Sequence, residues 1–215
     1  MSLVAPHFLF RLTYPCRNYR PSGEDRLLDL PDECRIDNFA GLANGRNFAD
    51  VRIAWNESGI AFQVEVRGKD QLAQGDVSRP RSSDGAMLWI DTRDARTSHR
   101  ASRYCHQFHF LPTGGGADHD EPFLLQTKIN RALQDAPLCS PGSVPFRSEL
   151  RKTGYLLEAF LPAEVLYGFD PDENPRLGFY YAVRDSELGE QVLSVGSEFP
   201  YWEDPSVWSV LELVR

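Results

Sequence analysis

The feature that most constrains this chain is a pair of alternating segments joined by a tight turn. Val51, Ile53 and Trp55 fall on one side of an extended backbone, with Arg52 on the other. After Asn56-Glu57-Ser58-Gly59, the residues Ile60, Phe62, Val64 and Val66 share a side and Gln63 and Glu65 oppose them. A repeat of two is the strand period, because successive Cβ atoms of a strand point to opposite faces. Turn-type residues between two such runs mark a hairpin. A lone hairpin is barely stable in water, so its apolar face requires further strands to pack against.

Those strands are legible downstream. Ala86–Asp91 is nearly continuous in apolar residues, as expected of a strand covered on both faces. Arg103–Leu111 alternates, with Tyr104, His106, Phe108 and Phe110 on one side and Cys105, Gln107 and His109 on the other. Gly154–Pro162, Gly178–Asp185 and Val207–Val214 read as three more strands. Gly168-Phe169-Asp170-Pro171-Asp172 and Glu187-Leu188-Gly189-Glu190 read as turns. Residues 67–83 and 92–103 are polar loops. Within 123–133, Thr127 and Ile129 favour a strand, while Ala132 and Leu133 favour a helix. Ala163–Gly168 suits a single helical turn, and no longer helix-period segment exists. Many short strands separated by turn signals predict an all-β, two-sheet antiparallel sandwich, jelly-roll-like. With 215 residues, a sandwich is still one domain. Its core is expected over about 40–214, with a long irregular insertion at about 112–147.

Charge narrows the class of partner. Lys and Arg number 23 against 31 Asp and Glu, a net charge of −8. Such a surface repels phosphate backbones and anionic headgroups, so neither nucleic acid nor membrane is expected as a partner. A saccharide or another small polar ligand is compatible with it. No apolar run is long enough to span a bilayer. Met1–Pro6 lacks a signal peptide's basic and apolar regions, which leans the expectation toward the cytoplasm. Cys16, Cys34, Cys105 and Cys139 are widely spaced; free thiols are expected, although an even count also permits disulfides.

Five segments in order carry a family resemblance. Asp50–Val66 resembles an opening hairpin, and Asp84–Asp91 a central strand ending in Asp. Gly154–Pro162 resembles a Y-x-x-E-x-x-x-P strand, and Leu177–Asp185 a G-F-…-D strand. Trp202, Pro205 and Trp208 resemble a closing W-x-x-P segment. Together they resemble family 9 carbohydrate-binding modules and the wider DOMON-like sandwiches. The resemblance implies a sandwich fold, a sugar site with aromatic platforms and, in some members, structural calcium.

The residues themselves suggest where a ligand would sit. Sugars present apolar C–H faces that flat rings stack on, and polar side chains nearby read the hydroxyls. Trp202 lies in the loop-like Phe199–Pro205 stretch and is the leading platform. Trp89 is opposite in parity to Leu88 and Ile90, so it faces an outer surface if those two face the core. Trp55 and Trp208 are expected in the core. Glu158, Asp185, Arg184 and Gln107 are the candidate polar contacts, although Glu158 and Asp185 would be structural if paired with Arg52 or Arg184. The acids Asp170, Asp172 and Glu173, or Asp118, Asp120 and Glu121, could offer calcium its preferred oxygens.

No catalytic motif is present: there is no G-x-S-x-G, P-loop, G-x-G-x-x-G or H-E-x-x-H. The expected function is therefore non-catalytic ligand binding, most simply of carbohydrate. Two other classes stay open. A metal-dependent enzyme would use the segment holding His99, His106, His109 and His119; there only Cys105, Gln107 and His109 share a strand face. A haem-binding DOMON-like domain would need Met87, the only internal methionine, as an axial ligand. A structural or interaction domain is the further possibility if the face of Trp89 and Gln107 proves covered and no other cleft exists.

Overall fold

A computed structural model describes residues 12–20, 27–38 and 46–215. Among the described residues eleven strands form in chain order: β1 Thr13–Asn18, β2 Ala49–Asn56, β3 Gly59–Arg67, β4 Gly85–Asp91, β5 Cys105–Gly115, β6 Glu121–Thr127, β7 Phe146–Arg151, β8 Gly154–Pro162, β9 Arg176–Asp185, β10 Gly189–Val192 and β11 Ser209–Val214. Four single 3-10 turns are the only helical elements among the described residues, and one of them is Ala163–Val165.

The strands join in one sheet, ordered β6-β5-β4-β9-β11-β1-β2-β3-β8-β7, with β10 added beside β9. The hairpin expected at 51–66 is β2–β3, in register from Ala49–Val66 to Asn56–Gly59. Most pairings are antiparallel, but β1 runs parallel to both β11 and β2. That strand lies ahead of the expected core and links the two halves of the sheet. Pro15 interrupts its pattern and lacks a ladder donor, so the segment carries little strand signal.

The sheet folds over so that its halves face one another, consistent with a β-sandwich. Phe62 of β3 meets Phe110 of β5 across the interior, ring centroids 5.2 Å apart. Phe110 also meets Phe146 of β7 at 5.7 Å, so the two ends of the sheet nearly close. Trp55, Phe62, Leu88, Phe108, Phe179 and Tyr181 are all buried in this interior. Burying a large apolar side chain stabilises the fold by roughly 1.5–3 kcal/mol, so the apolar parity of each strand dictates which face turns inward.

Residues 112–147 are more regular than expected. They contain the end of β5, all of β6 and the first residues of β7. The ladder between β5 and β6 shifts register between Leu111 and Gly115. Pro112 lies in this stretch and has no N–H to give, which is where a bulge is tolerated. Just beyond it, the backbone of the 67–83 loop crosses β5 very closely. A Cβ on Gly75 would stand 1.9 Å from the Thr113 carbonyl oxygen, so only glycine fits there. This crossing sets the 78–82 turn over the outer face of β5.

Candidate functional site

Parity decides what each strand shows to the outside. On β4, Ala86, Leu88 and Ile90 pair with the inward Phe110, Phe108 and His106 of β5, so Met87 and Trp89 face outward. Opposite Trp89 stand Gln107 on β5 and Tyr180 on β9. Thr127 of β6 continues the same row beyond Gln107. The outer face of β9-β4-β5-β6 thus carries a Tyr-Trp-Gln-Thr row, flanked by Met87 and His109.

This face is not bare. The 193–204 segment covers its aromatic part. Tyr201 stacks on Tyr180 at 4.6 Å, meets the edge of Trp89 at 5.5 Å and supports Trp202 at 5.3 Å. The Trp208 indole donates to the Tyr201 carbonyl oxygen at 2.7 Å, and the Tyr180 hydroxyl donates to that of Val195. Trp89 is therefore completely buried, and its ring has no face free to stack on a ligand. Trp202 is only half-buried, at the outer end of this aromatic series.

A hydrogen-bond chain runs sideways from the aromatic cluster. The Trp89 indole donates to Gln107 Oε1 at 3.0 Å. An indole N–H can only donate, so the Gln107 amide nitrogen must be the atom turned to His109, 2.8 Å away. His109 Nε2 is then an acceptor, and Thr127 Oγ1 approaches the same nitrogen at 3.1 Å. The ring proton resides on Nδ1, which has no hydrogen-bond partner among the described residues. Burial, followed by the nearby charge of Arg81, holds the His109 pKa down at about 4, so the ring is neutral near pH 7.

Beside His109 a pocket of about 360 Å³ opens. Ser78, Arg79, Pro80, Arg81 and Ser82 form one wall, and His109, Thr127 and Lys128 the other. Arg79 pairs with Asp76 at 2.9 Å and Lys128 with Asp135 at 2.6 Å. Next to Lys128, Asn130 donates to Glu203 at 2.9 Å, which ties this wall to the loop of Trp202. Arg184 is exposed on the outer parity of β9, and both it and Arg81 act electrostatically on the Tyr201 hydroxyl.

The remaining expected contacts are built into the scaffold. Gln107 is fully buried between Trp89 and His109, so its amide is consumed by them. Asp185 Oδ1 accepts from Lys69 Nζ at 3.0 Å and from the backbone N–H groups of Glu187 and Leu188. Lys69 also pairs with Asp84 at 3.1 Å, and all three side chains are buried. Asp185 is thus locked in an ion cluster rather than offered to a ligand. Glu158 is 2% exposed and accepts from the Leu28 N–H at 3.3 Å, beneath the 27–36 segment. Its carboxylate is used there as an acceptor by the backbone of that segment. Of the six residues, Trp202 and Arg184 keep access to solvent.

The histidine segment does not converge. His106 faces the interior, parallel to Phe108, and takes a hydrogen bond from Gln126. His109 lies on the opposite face, His99 pairs with Asp204, and His119 sits in a turn against Gly114 O. Among the described residues, no three His, Cys, Asp or Glu side chains gather to hold a metal ion. The acid-rich turn at Asp170 is stitched by its own backbone, Asp170 Oδ1 accepting from the N–H groups of Asp172 and Glu173. Met87 stands directly across from His109 and on the same face. Side-by-side donors do not suit a haem, whose axial ligands approach from opposite sides. All four cysteines are free. No described helix is long and apolar enough to cross a membrane.

The sequence matches no family model, and no curated protein matches it. Solved structures do resemble the fold. One is a family 9 carbohydrate-binding module from Caldicellulosiruptor kristjanssonii in complex with cellotriose: 14% identity, 94% of this chain and 93% of that chain covered, TM-score 0.59. Another is a family 9 module from the same organism in complex with glucose: 13% identity, 95% and 96% covered, TM-score 0.53. The chain has a fold like that of family 9 carbohydrate-binding modules, as its five motifs implied.

Proposed function

We propose that this chain is a non-catalytic saccharide-binding domain, and that its two facing half-sheets are the layers of a jelly-roll-like sandwich. The observation that carries the reading is Trp202. Its indole is half-exposed, braced edge-on by Tyr201, which is in turn fixed by Tyr180 and Trp89. A rigid, partly exposed indole at the end of an aromatic series is the kind of platform that stacks on a pyranose face. Arg184, exposed on the outer parity of β9, supplies donors for ring hydroxyls. In this reading Trp89 and Gln107 work from behind, bracing Tyr201 and orienting His109. Two solved structures of similar fold hold cellotriose and glucose, which makes neutral glucans the first ligands to try.

Isothermal titration with cellotriose and glucose, with and without calcium, tests the reading. Binding of either sugar, lost in Trp202→Ala, is the expected result. A folded protein that binds neither sugar at millimolar concentration removes neutral glucans as its ligands, and one that binds no saccharide, acidic ones included, overturns the reading. The calcium arm reports whether the acidic turns at 118–121 or 170–173 recruit that ion.

A further inference from the structure

The pocket beside His109 differs in chemistry from the aromatic platform. None of its lining residues is a carboxylate. Two of its three cations are matched by neighbours, Arg79 by Asp76 and Lys128 by Asp135. Arg81 is exposed and forms no ion pair with a described residue, yet its charge reaches both His109 and Tyr201. The chain as a whole carries a charge of −8, so this unmatched cation is a local feature and not part of a general basic surface.

His109 adds the second observation. Its side chain is 99% removed from solvent, lines the pocket, and holds an Nδ1–H that no described residue accepts. Buried donors are normally satisfied, so one left over on a pocket-lining residue calls for an acceptor from outside the chain, a ligand or a water. A guanidinium and a ring N–H are both pure donors here. Their natural counterpart is an acceptor-only group with at least two oxygens and a negative charge. A cation would be repelled by Arg81, and a lone hydroxyl would leave the guanidinium uncompensated.

We propose that this pocket receives one anionic substituent of a bound saccharide, the carboxylate of a uronic acid or a sulfate ester, between Arg81 and the His109 Nδ1–H. The inference rests on the saccharide-binding reading and names the ligand class for it. The 78–82 turn provides the charge, while the Trp89–Gln107–His109 chain fixes which ring nitrogen donates. Trp202 stacks on a neighbouring sugar ring, because the Asn130–Glu203 bond keeps its loop beside the pocket.

Titrations with cellotriose, a trimeric oligogalacturonate, a sulfated cellotriose and inorganic sulfate test it. At least one acidic trisaccharide is expected to bind about tenfold more tightly than cellotriose, the size of one charge-assisted hydrogen bond. That advantage should shrink with added salt and vanish in Arg81→Gln. An exposed side chain can be replaced without threatening the fold, and cellotriose affinity should stay unchanged in that variant. The His109 Nδ1–H proton resonance should move on adding the acidic sugar. A preference for the carboxylate alone identifies the uronate, and for the sulfate alone the ester. Cellotriose binding with no acidic advantage overturns this inference and leaves the saccharide reading standing. An advantage that survives Arg81→Gln, or inorganic sulfate binding as tightly as the sulfated sugar, also overturns it. Binding to no saccharide overturns both.

Discussion

Two cross-strand pairs, each with a glutamine, sit on opposite halves of the sheet and are used in different ways. On the outer face of β3 and β8, Gln63 stands across from Glu158. Both point under the 27–36 segment, where Gln63 Oε1 accepts from the Leu30 N–H at 3.2 Å and Glu158 from the Leu28 N–H. Leu28, Leu30 and Cys34 then pack on Ala54 and Ala61 and seal that face. On the outer face of β4 and β5, Gln107 stands across from Trp89. Here the Tyr201 side chain of the 193–204 segment lies against the indole, and the glutamine passes its hydrogen-bond polarity on to His109 and a pocket wall. When backbone supplies the cover, its N–H groups consume the acceptors beneath and the face closes. When aromatic side chains supply it, few donors are added, and a polar group can be left over for a ligand.

The comparison can be broken from either side. The largest effect is expected for Trp89→Ala. Removing a fully buried indole that braces Tyr201 should cost about 3–5 kcal/mol in denaturant unfolding, and ligand binding should go with it. A loss below about 1 kcal/mol would mean that the aromatic cluster is not packed as described.

Acid comes next. The pKa values of His106 and His109 are both pushed down to about 4, in each case chiefly by burial. His106 accepts from Gln126 and lies near the Tyr167 carbonyl, and His109 faces Arg81, Gln107 and Thr127. The unfolded chain protonates these rings first as pH drops below about 6.5, so stability should fall between pH 6.5 and 4. Each ring can contribute up to roughly 3 kcal/mol of that loss. Measured against pH, a His109→Gln variant should show a shallower decline than the parent protein. An unchanged slope would contradict the buried neutral ring.

The strapped face should respond in stability alone. Glu158→Ala leaves the Leu28 N–H without this acceptor, at a cost of about 1–3 kcal/mol. Sugar affinity in that variant should equal that of the parent; a parallel loss of binding would move the site to the other half of the sheet. Trp202→Ala is the mirror image and the smallest in stability, within about 1 kcal/mol because the side chain is only half-buried. Its affinity for saccharide should nevertheless drop by about tenfold or more, read by titration.

How much of this was legible in the chain can be followed residue by residue. The β2–β3 hairpin, the inward parity of Leu88, Phe108 and Phe110, and the shared side of Gln107 and His109 all follow from a period of two. Local backbone geometry dictates that period whatever the partner strand is. The first four of the five ordered motifs carried the family-like fold for the same reason, since each is made of strands, while the closing one, Trp202 to Trp208, is the turn that leads into β11. Other features depended on which elements meet. In the sequence Glu158 and Asp185 read equally as open-face contacts or as paired structural acids; the 27–36 segment and Lys69, both distant in the chain, bury them. Trp89 has the right parity for a platform, but Tyr201, more than a hundred residues away, lies over it. His109 and Arg81 line one pocket although they are far apart in the chain, and the 67–83 loop that carries Arg81 crosses β5 at Gly75, where no side chain fits. Alternation along a strand is a property of the chain itself, so the sequence determines which face each side chain joins. What covers that face is decided by long-range packing, and so are the charges and spare donors left over for a ligand.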